Sequence, residues 1–457
     1  MFPEAWYLVL SSRLVPGLDG GYTVATLARS RHLVDAGAET ALLTVDPGTP
    51  AAHAEHRDTF VQRGAVDTAE RMRNLFDEAS APEGGAAPWL REAAHAGAAN
   101  PELEYRTVTD AAGRPVTALP VIVGDPDWHL TREPIVVFDA AGEAVGVVDG
   151  FGALYRAWLE EVVRRLRAQI DRPVVLISES RQLGELLAGW SDPEVRIVHA
   201  VHTIHLEPPY TADAPLNGLW SRWFAVVERF DAVLWPTASQ RADVIARFGE
   251  SEVHVVAPHG VTQAATVVDP ASRVAGRVVV LGRLAPGKRV DLAIRAFCSV
   301  VAAVPSATLD IYGDGAERAR LQALIDELDL GSAVTLRGVT DDPGAVLDEA
   351  SVYLSTSAFE GQGLALAEAL AHGTPAVAFD IRYGPSDMLA EGGGALVSNG
   401  DVDALAAALI AVLSDVPLRE RLSAEAVRAA AKLDPHSTTA TLASVVRDVL
   451  ARPSRRA

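Results

Sequence analysis

The sequence predicts an α/β protein of two Rossmann-like, doubly wound domains facing a cleft, with a β-rich insertion in the first. Three observations carry this. Strand-like apolar runs alternate with helical runs in two separate rounds. The length, 457 residues, exceeds what a single core usually supports. Between Glu102 and Gly150 the grammar changes to short alternating strands joined at glycines.

The first round opens with AWYLVLSS as a strand, GLDGGYT as a glycine turn and VATLARSRHLVDAG as a helix closed by Gly37. ETALLTVD is the next strand, so the order is β-α-β with a parallel crossover. The stretch from Asp46 to Asn100 is Ala-rich with helical patches such as DTAERMRNLFDEA. YRTVTDAAGRPVTALPVIV and PIVVFDAAGEAVGVVDG then read as two hairpins. Parallel grammar returns with PVVLISES, VRIVHAVHTIH, AVLWPTA and VHVVAPHG. After a polar link near Thr266–Arg277 come RVVVLGRL, TLDIYGDG, AVTLRGV, VYLSTS, PAVAFD and GALVSNG, each strand followed by a helical run. The expected division is residues 1–265 (with the insertion at about 100–150), 266–435 and 436–457. That last piece is a helix crossing back to the first domain and a disordered tail. The cleft is expected at the carboxyl ends of the strands, where open α/β sheets bind ligands.

Composition excludes several classes. No window approaches the ~18 uninterrupted apolar residues of a membrane span. MFPEAWYLVLSSRLVPG lacks the basic start of a signal peptide and reads as a first strand, so a cytoplasmic protein is expected. A net charge of −20 argues against a broad nucleic-acid surface. The lone Cys298 excludes an internal disulfide and is expected in the core.

FEGQGLALAEALAHGTP, Phe359 to Pro375, is the most informative stretch. Glu360 and Glu368 stand eight residues apart around a glycine-broken turn that leads into an apolar helix. If most of that interval is helical, the carboxylates lie up to ~12 Å apart. One would then reach a sugar and the other a ribose at opposite ends of a diphosphate. Backbone N–H groups of Gly361, Gln362 and Gly363, with Leu364 at the helix start, would form an anion site. In LGRLAPGKRVDLAIRAF, Arg283 and Lys288 flank a strand-to-helix turn and suit a diphosphate, Arg as a fork and Lys as a point charge. Taken alone they read as two solvated loop cations; together with the carboxylate motif they read as the diphosphate site.

Weaker signals surround these. Gly313 in IYGDG allows close approach of a nucleotide or is a plain strand–helix connection. Val339, in LRGVTDDP, lines a base pocket or an ordinary loop. Gly21 starts the first helix, either as part of a turn or beside the phosphates. His199, His202 and His205 follow a strand at spacing that is no metal fingerprint, and either pack or reach the cleft. In DIRYGPSDML, Asp387 is expected to cap the helix that starts there, and Tyr383–Pro385 to form a wall of the site.

GRLAPGK, YGDG and FEGQGLALAEALAHGTP, in this order across Val278 to Gly400, together resemble the retaining, metal-independent glycosyltransferases of the GT-B fold that carry an E-x7-E motif (glycosyl transferases group 1). DIRYGPSDML, GGYTVATLARSRHLVDAGAETALLTVD, VHTIHL and the β-rich insertion resemble more narrowly the wall-teichoic-acid poly(glycerol-phosphate) α-glucosyltransferases and their poly(ribitol-phosphate) and adhesin-modifying relatives. The resemblance implies a hexosyltransferase using UDP-glucose or UDP-N-acetylglucosamine, without metal or cofactor. It implies Glu360 near the donor sugar, Glu368 on the ribose, Arg283 and Lys288 on the departing diphosphate, and His205, with His202 as second choice, as the cleft histidine. Gln362 stands where the motif commonly has an aromatic residue. The acceptor is expected to be a poly(glycerol phosphate) or teichoic-acid-like polymer, with a protein or natural product as alternative. A homo-oligomer through the insertion also fits the resemblance. A non-catalytic sugar-binding protein, or an epimerase- or phosphorylase-like use of the same double fold, is the competing class. The intact Glu360, Glu368, Arg283 and Lys288 argue against it.

Overall fold

The computed structural model describes residues 2–17 and 20–456. β1 (Trp6–Ser11), β2 (Glu39–Thr44) and β3 (Met72–Asn74) open a parallel sheet. The chain then leaves it for the antiparallel β4 (Tyr105–Thr109), β5 (Pro115–Pro120), β6 (Pro134–Phe138) and β7 (Ala144–Asp149). It returns with β8 (Val174–Ser178), β9 (Val195–Ala200), β10 (Ala232–Trp235) and β11 (His254–Val256), giving the order β11-β10-β9-β8-β1-β2-β3. A second parallel sheet holds β12 (Arg277–Leu281), β13 (Thr308–Tyr312), β14 (Val334–Gly338), β15 (Val352–Ser355), β16 (Ala376–Asp380) and β17 (Gly394–Ser398), ordered β14-β13-β12-β15-β16-β17.

Both parallel sheets reverse direction of growth at one point, between β1 and β8 in the first and between β12 and β15 in the second. Loops diverge there and leave a crevice. Along β1 the side chains alternate between two cores, Leu8 and Leu10 in one, Tyr7 and Val9 in the other. Val278 and Val280 against Val279 do the same in β12. Strands buried on both faces are apolar throughout, which is why these runs were legible.

The insertion packs one face, including Val116, Leu119, Ile135 and Val137, into the same core as Phe151, Leu154 and Trp158 of the helix Gly150–Gln169. Four expectations are corrected. The patch DTAERMRNLFDEA is not one helix: it holds a 3-10 turn, the edge strand β3 and the short helix Leu75–Glu78. Pairing of β3 with β2 overrides the local helical pattern. Cys298 is exposed on the helix Val290–Ala303, not in the core. The end of the chain is docked, with Ser454 and Arg456 buried. Asp387 does not cap its own helix, as shown below. The helix Pro435–Leu450 contributes Leu442, Val446 and Val449 to the core of Tyr7 and Val9. Among the described residues no helix is long and apolar enough to cross a membrane.

Candidate active site

The two switch points face each other, and their loops enclose two adjoining cavities of about 550 and 540 Å³. The first is walled mainly by residues that follow β1, β8 and β9, among them Arg13, Ser180, Arg181 and Glu207. The second is walled by Arg283, Lys288, Glu360, Gly361, Leu364 and Glu368. Gly20–Tyr22, His202, Thr203, Arg283 and Phe359 line both.

The helix Gly21–Asp35 starts at this shared wall, with Gly20 as its extended N-cap. The Arg283 guanidinium lies against this helix end, its Nε 3.6 Å from where a Cβ on Gly20 would sit. Arg283 is exposed, and it has no ion-pair partner among the described residues. Lys288 ends the 3-10 turn Pro286–Lys288 and places Nζ 2.5 Å from Oε1 of Glu360. The same oxygen accepts from the Ser357 hydroxyl at 2.6 Å. A cation and a carboxylate are thereby held side by side at the mouth of β12 and β15.

The interval between the two glutamates is less helical than expected. The helix runs only from Leu364 to Ala371, and Gly363 precedes it in the left-handed region at φ +92°. Glu360 therefore lies in an extended loop, with its N–H bonded to the Arg382 carbonyl, while Glu368 projects from the helix into the second cavity. Burial pushes the Glu368 carboxyl up to about 7. Between its ordinary value of 4.5 and about 7 the folded state holds a proton that the unfolded state has lost, so stability falls as pH rises through that window. Thermal unfolding from pH 5 to pH 8 is expected to show this fall in the wild type and a flatter profile in Glu368→Gln. Equal slopes would place the titration elsewhere.

The remaining expected residues divide. Gly21, His202, Arg283, Lys288, Glu360, Gly361, Gly363, Leu364 and Glu368 line the cleft or the small cavity beneath it. Five do not line any cavity described here: His205, Tyr383, Gln362, Gly313 and Val339. His205 is 1% exposed, its ring parallel to Tyr383 at 6.0 Å, and burial pushes its pKa down to about 4. Of the two candidates, His202 lines both cavities and His205 neither. Tyr383 is packed behind the wall, where Pro385 of the same turn reaches the small cavity. Gly313 is consumed by packing, since a Cβ there would meet the Gly282 carbonyl oxygen at 1.9 Å. Val339 is 75% exposed.

Gln362 has a different place. Its Oε1 accepts from the His259 N–H at 2.7 Å and its Nε2 donates to the His259 carbonyl at 3.0 Å, joining the two halves. Nearby, Asp387 accepts from the N–H and hydroxyl of Ser239 at the start of the helix Ala238–Phe248, and Arg382 pairs with Asp243 at 2.7 Å. A Cβ on Gly361 would lie 2.3 Å from the His202 carbonyl oxygen, so this glycine is required where the halves touch. Asp387 caps a helix, but the helix belongs to the opposite half.

Four groups escaped the sequence reading: Arg13, Arg29, Glu179 and His259. Glu179 stood at the carboxyl end of PVVLISES, the place open α/β sheets reserve for ligands, and that signal was available. No group of three or more His, Cys, Asp or Glu side chains is arranged to hold a metal among the described residues.

Residues 275–428, which hold Arg283, Lys288, Glu360 and Glu368, match the family described as glycosyl transferases group 1. The chain is similar to the poly(glycerol-phosphate) alpha-glucosyltransferase of Bacillus subtilis, 29% identical over 285 residues, covering 61% of this chain and 41% of that protein. It is also similar to the poly(ribitol-phosphate) alpha-N-acetylglucosaminyltransferase of Staphylococcus aureus, 28% identical over 199 residues, 43% of this chain and 40% of that one. The matches thus span about two fifths of the length of these curated relatives. Two solved structures share the fold across nearly the whole chain. One is S. aureus TarM with fondaparinux, alpha-GlcNAc-glycerol and UDP (TM-score 0.73, 18% identity, 97% of this chain and 99% of that one). The other is the pneumococcal O-GlcNAc transferase GtfA with UDP and GlcNAc (TM-score 0.74, 16% identity, 98% and 99%). The fold is GT-B, two Rossmann-like units across a cleft.

Proposed function

We propose that this protein is a retaining hexosyltransferase that moves a sugar from a UDP-sugar to a hydroxyl of an anionic polymer of the poly(glycerol phosphate) type. The observation that carries this is the pair of adjoining cavities with one common wall: a donor compartment and an acceptor compartment meeting at Gly20–Tyr22, His202 and Arg283. In this reading residues 1–265 hold the acceptor, 266–435 hold the donor, and 436–457 tie the end of the chain to the acceptor side.

Charge explains the division of labour. Breaking the anomeric C–O bond leaves positive character on the ring and negative charge on the diphosphate. Arg283, Lys288 and the N-terminus of the helix Gly21–Asp35 meet the departing diphosphate, Glu360 faces the donor sugar and Glu368 takes the ribose hydroxyls. The acceptor hydroxyl attacks from the face the diphosphate leaves, and a diphosphate oxygen takes its proton. Docking of the two halves orients the reactants and excludes water. The relatives named for polyol-phosphate acceptors support the acceptor class.

The acceptor compartment favours an anion despite the net charge of −20. Of its charged side chains, Arg181 is neutralised by Asp127 and Glu185, and Glu179 by Arg29. Arg13 and Arg283 have no ion-pair partner among the described residues, and Glu207 is the remaining acid in the lining. UDP release from UDP-glucose or UDP-N-acetylglucosamine is expected to rise with poly(glycerol phosphate). Arg13→Ala is expected to raise the KM for polymer severalfold and leave donor KM unchanged, with the polymer effect weakening at high salt. Donor turnover indifferent to polymer would redirect the acceptor to a protein, the class named for the GtfA relatives. No turnover with either donor would end the transferase reading.

A further inference from the structure

Behind the common wall lies a closed polar cluster that the binding roles above do not use. The Glu179 side chain, in the loop that follows β8, is fully buried. One of its oxygens accepts from Nε of Arg29 at 2.7 Å, and the other lies 2.6 Å from Nε2 of His202. Arg29 continues to Nδ1 of His259 at 3.0 Å. The His259 ring stacks on His202 with centroids 4.7 Å apart and planes at 13°, and Tyr22 meets His202 edge-on at 4.9 Å. His202 is thus gripped by a carboxylate, a parallel ring and a ring edge, while Nδ1 has no partner among the described residues and the residue lines both cavities.

An ionised carboxylate only accepts hydrogen bonds, so its neighbour on the imidazole must be an N–H. Burial opposes ionisation of Glu179, but Arg29 and His202 together hold it below the usual carboxylate range. The grip is also linked to the other half of the molecule, because Gln362 clamps the backbone of His259, the residue stacked on His202.

We propose that Glu179 is a positioning residue: it fixes His202 as the Nε2–H tautomer and leaves the Nδ1 lone pair at the wall between the compartments, to accept a hydrogen bond from a substrate hydroxyl. Which hydroxyl this is rests on the proposed transferase function; the tautomer does not. Arg29 supplies the counter-charge that keeps the carboxylate ionised.

Two measurements test this. In [15N]histidine-labelled protein at pH 7.5, long-range proton–nitrogen correlation is expected to show His202, assigned by its loss in His202→Gln, as Nε2–H. An Nδ1–H form, an exchanging mixture or an imidazolium would overturn the proposal. In UDP release from UDP-glucose, Glu179→Asp, which keeps the charge on Arg29 and withdraws the oxygen, is expected to lower kcat on the order of 10–100-fold with donor KM within about twofold, by analogy with partners that orient metal-bound histidines. In a His202→Ala background the same change is expected to do nothing further. Equal losses in both backgrounds would reduce Glu179 to a structural role. If no donor turns over, the transferase function fails and the tautomer of the wild type alone decides this proposal. The same holds if Glu179→Asp does not fold.

Discussion

Lys288→Ala is expected to lower kcat for UDP release about 10²–10³-fold, the loss found when one preorganised donor to a developing oxyanion is removed, about 3–4 kcal/mol of transition-state stabilisation. Two consequences of the geometry support an effect of this size. The ammonium sits 2.5 Å from Glu360 in a site that excludes much of the solvent, so it both neutralises that carboxylate and remains within reach of a diphosphate at Arg283. Its removal leaves Glu360 without its cation, and the surviving negative charge repels the leaving group. Lys288→Arg is expected to recover only part of the loss, because the planar fork cannot occupy the place of a compact ammonium between Glu360 and the cavity. Steady-state kinetics with UDP-glucose reads both variants. A kcat within threefold of wild type for Lys288→Ala would remove this residue from the reaction.

The largest effect on stability is expected from Asp231→Ala, a cost of about 3–5 kcal/mol. Asp231 precedes β10 and accepts from the Ile197 N–H at 2.7 Å and the Arg455 N–H at 2.9 Å. It also pairs with Arg456 at 2.8 Å, with both side chains almost wholly buried. The Arg456 guanidinium donates further to the carbonyls of Trp190, Val195 and Arg229. Removing the carboxylate strands a charge inside the protein, while removing the tail as well takes that charge away. Deleting residues 453–457 in the Asp231→Ala background is therefore expected to cost less than the sum of the two separate changes. Urea unfolding measures the cycle. A loss for Asp231→Ala below about 1 kcal/mol would show that the tail detaches and its arginine finds water.

Much of the architecture was readable because it repeats. Among the described residues, apolar runs of the right length, separated by helical runs, marked all thirteen parallel strands but one, and glycine turns marked the four antiparallel ones. The exception is β3, three residues inside a pattern that reads as helix. Such a short edge strand exists only because β2 supplies its partner. The docked tail was missed for a similar reason: RPSRRA carries no apolar periodicity, and what holds it is an aspartate more than two hundred residues earlier.

For the site, sequence alone determined the doubly wound fold, the presence of Arg283, Lys288 and Glu360 after strand ends, and that of Glu368 on the helix that follows. Period and chain order dictate those features locally. Tertiary structure decided which of His202 and His205 reaches the cleft, that Gln362 and Asp387 join the two halves, and that Glu179 stands behind His202. For Gln362, Asp387 and His205 the physical reason is the same. In irregular loops no period constrains where a side chain points, so its direction is set by whatever the opposite half of the molecule offers it: a backbone amide for Gln362, a hydroxyl for Asp387, an aromatic face for His205.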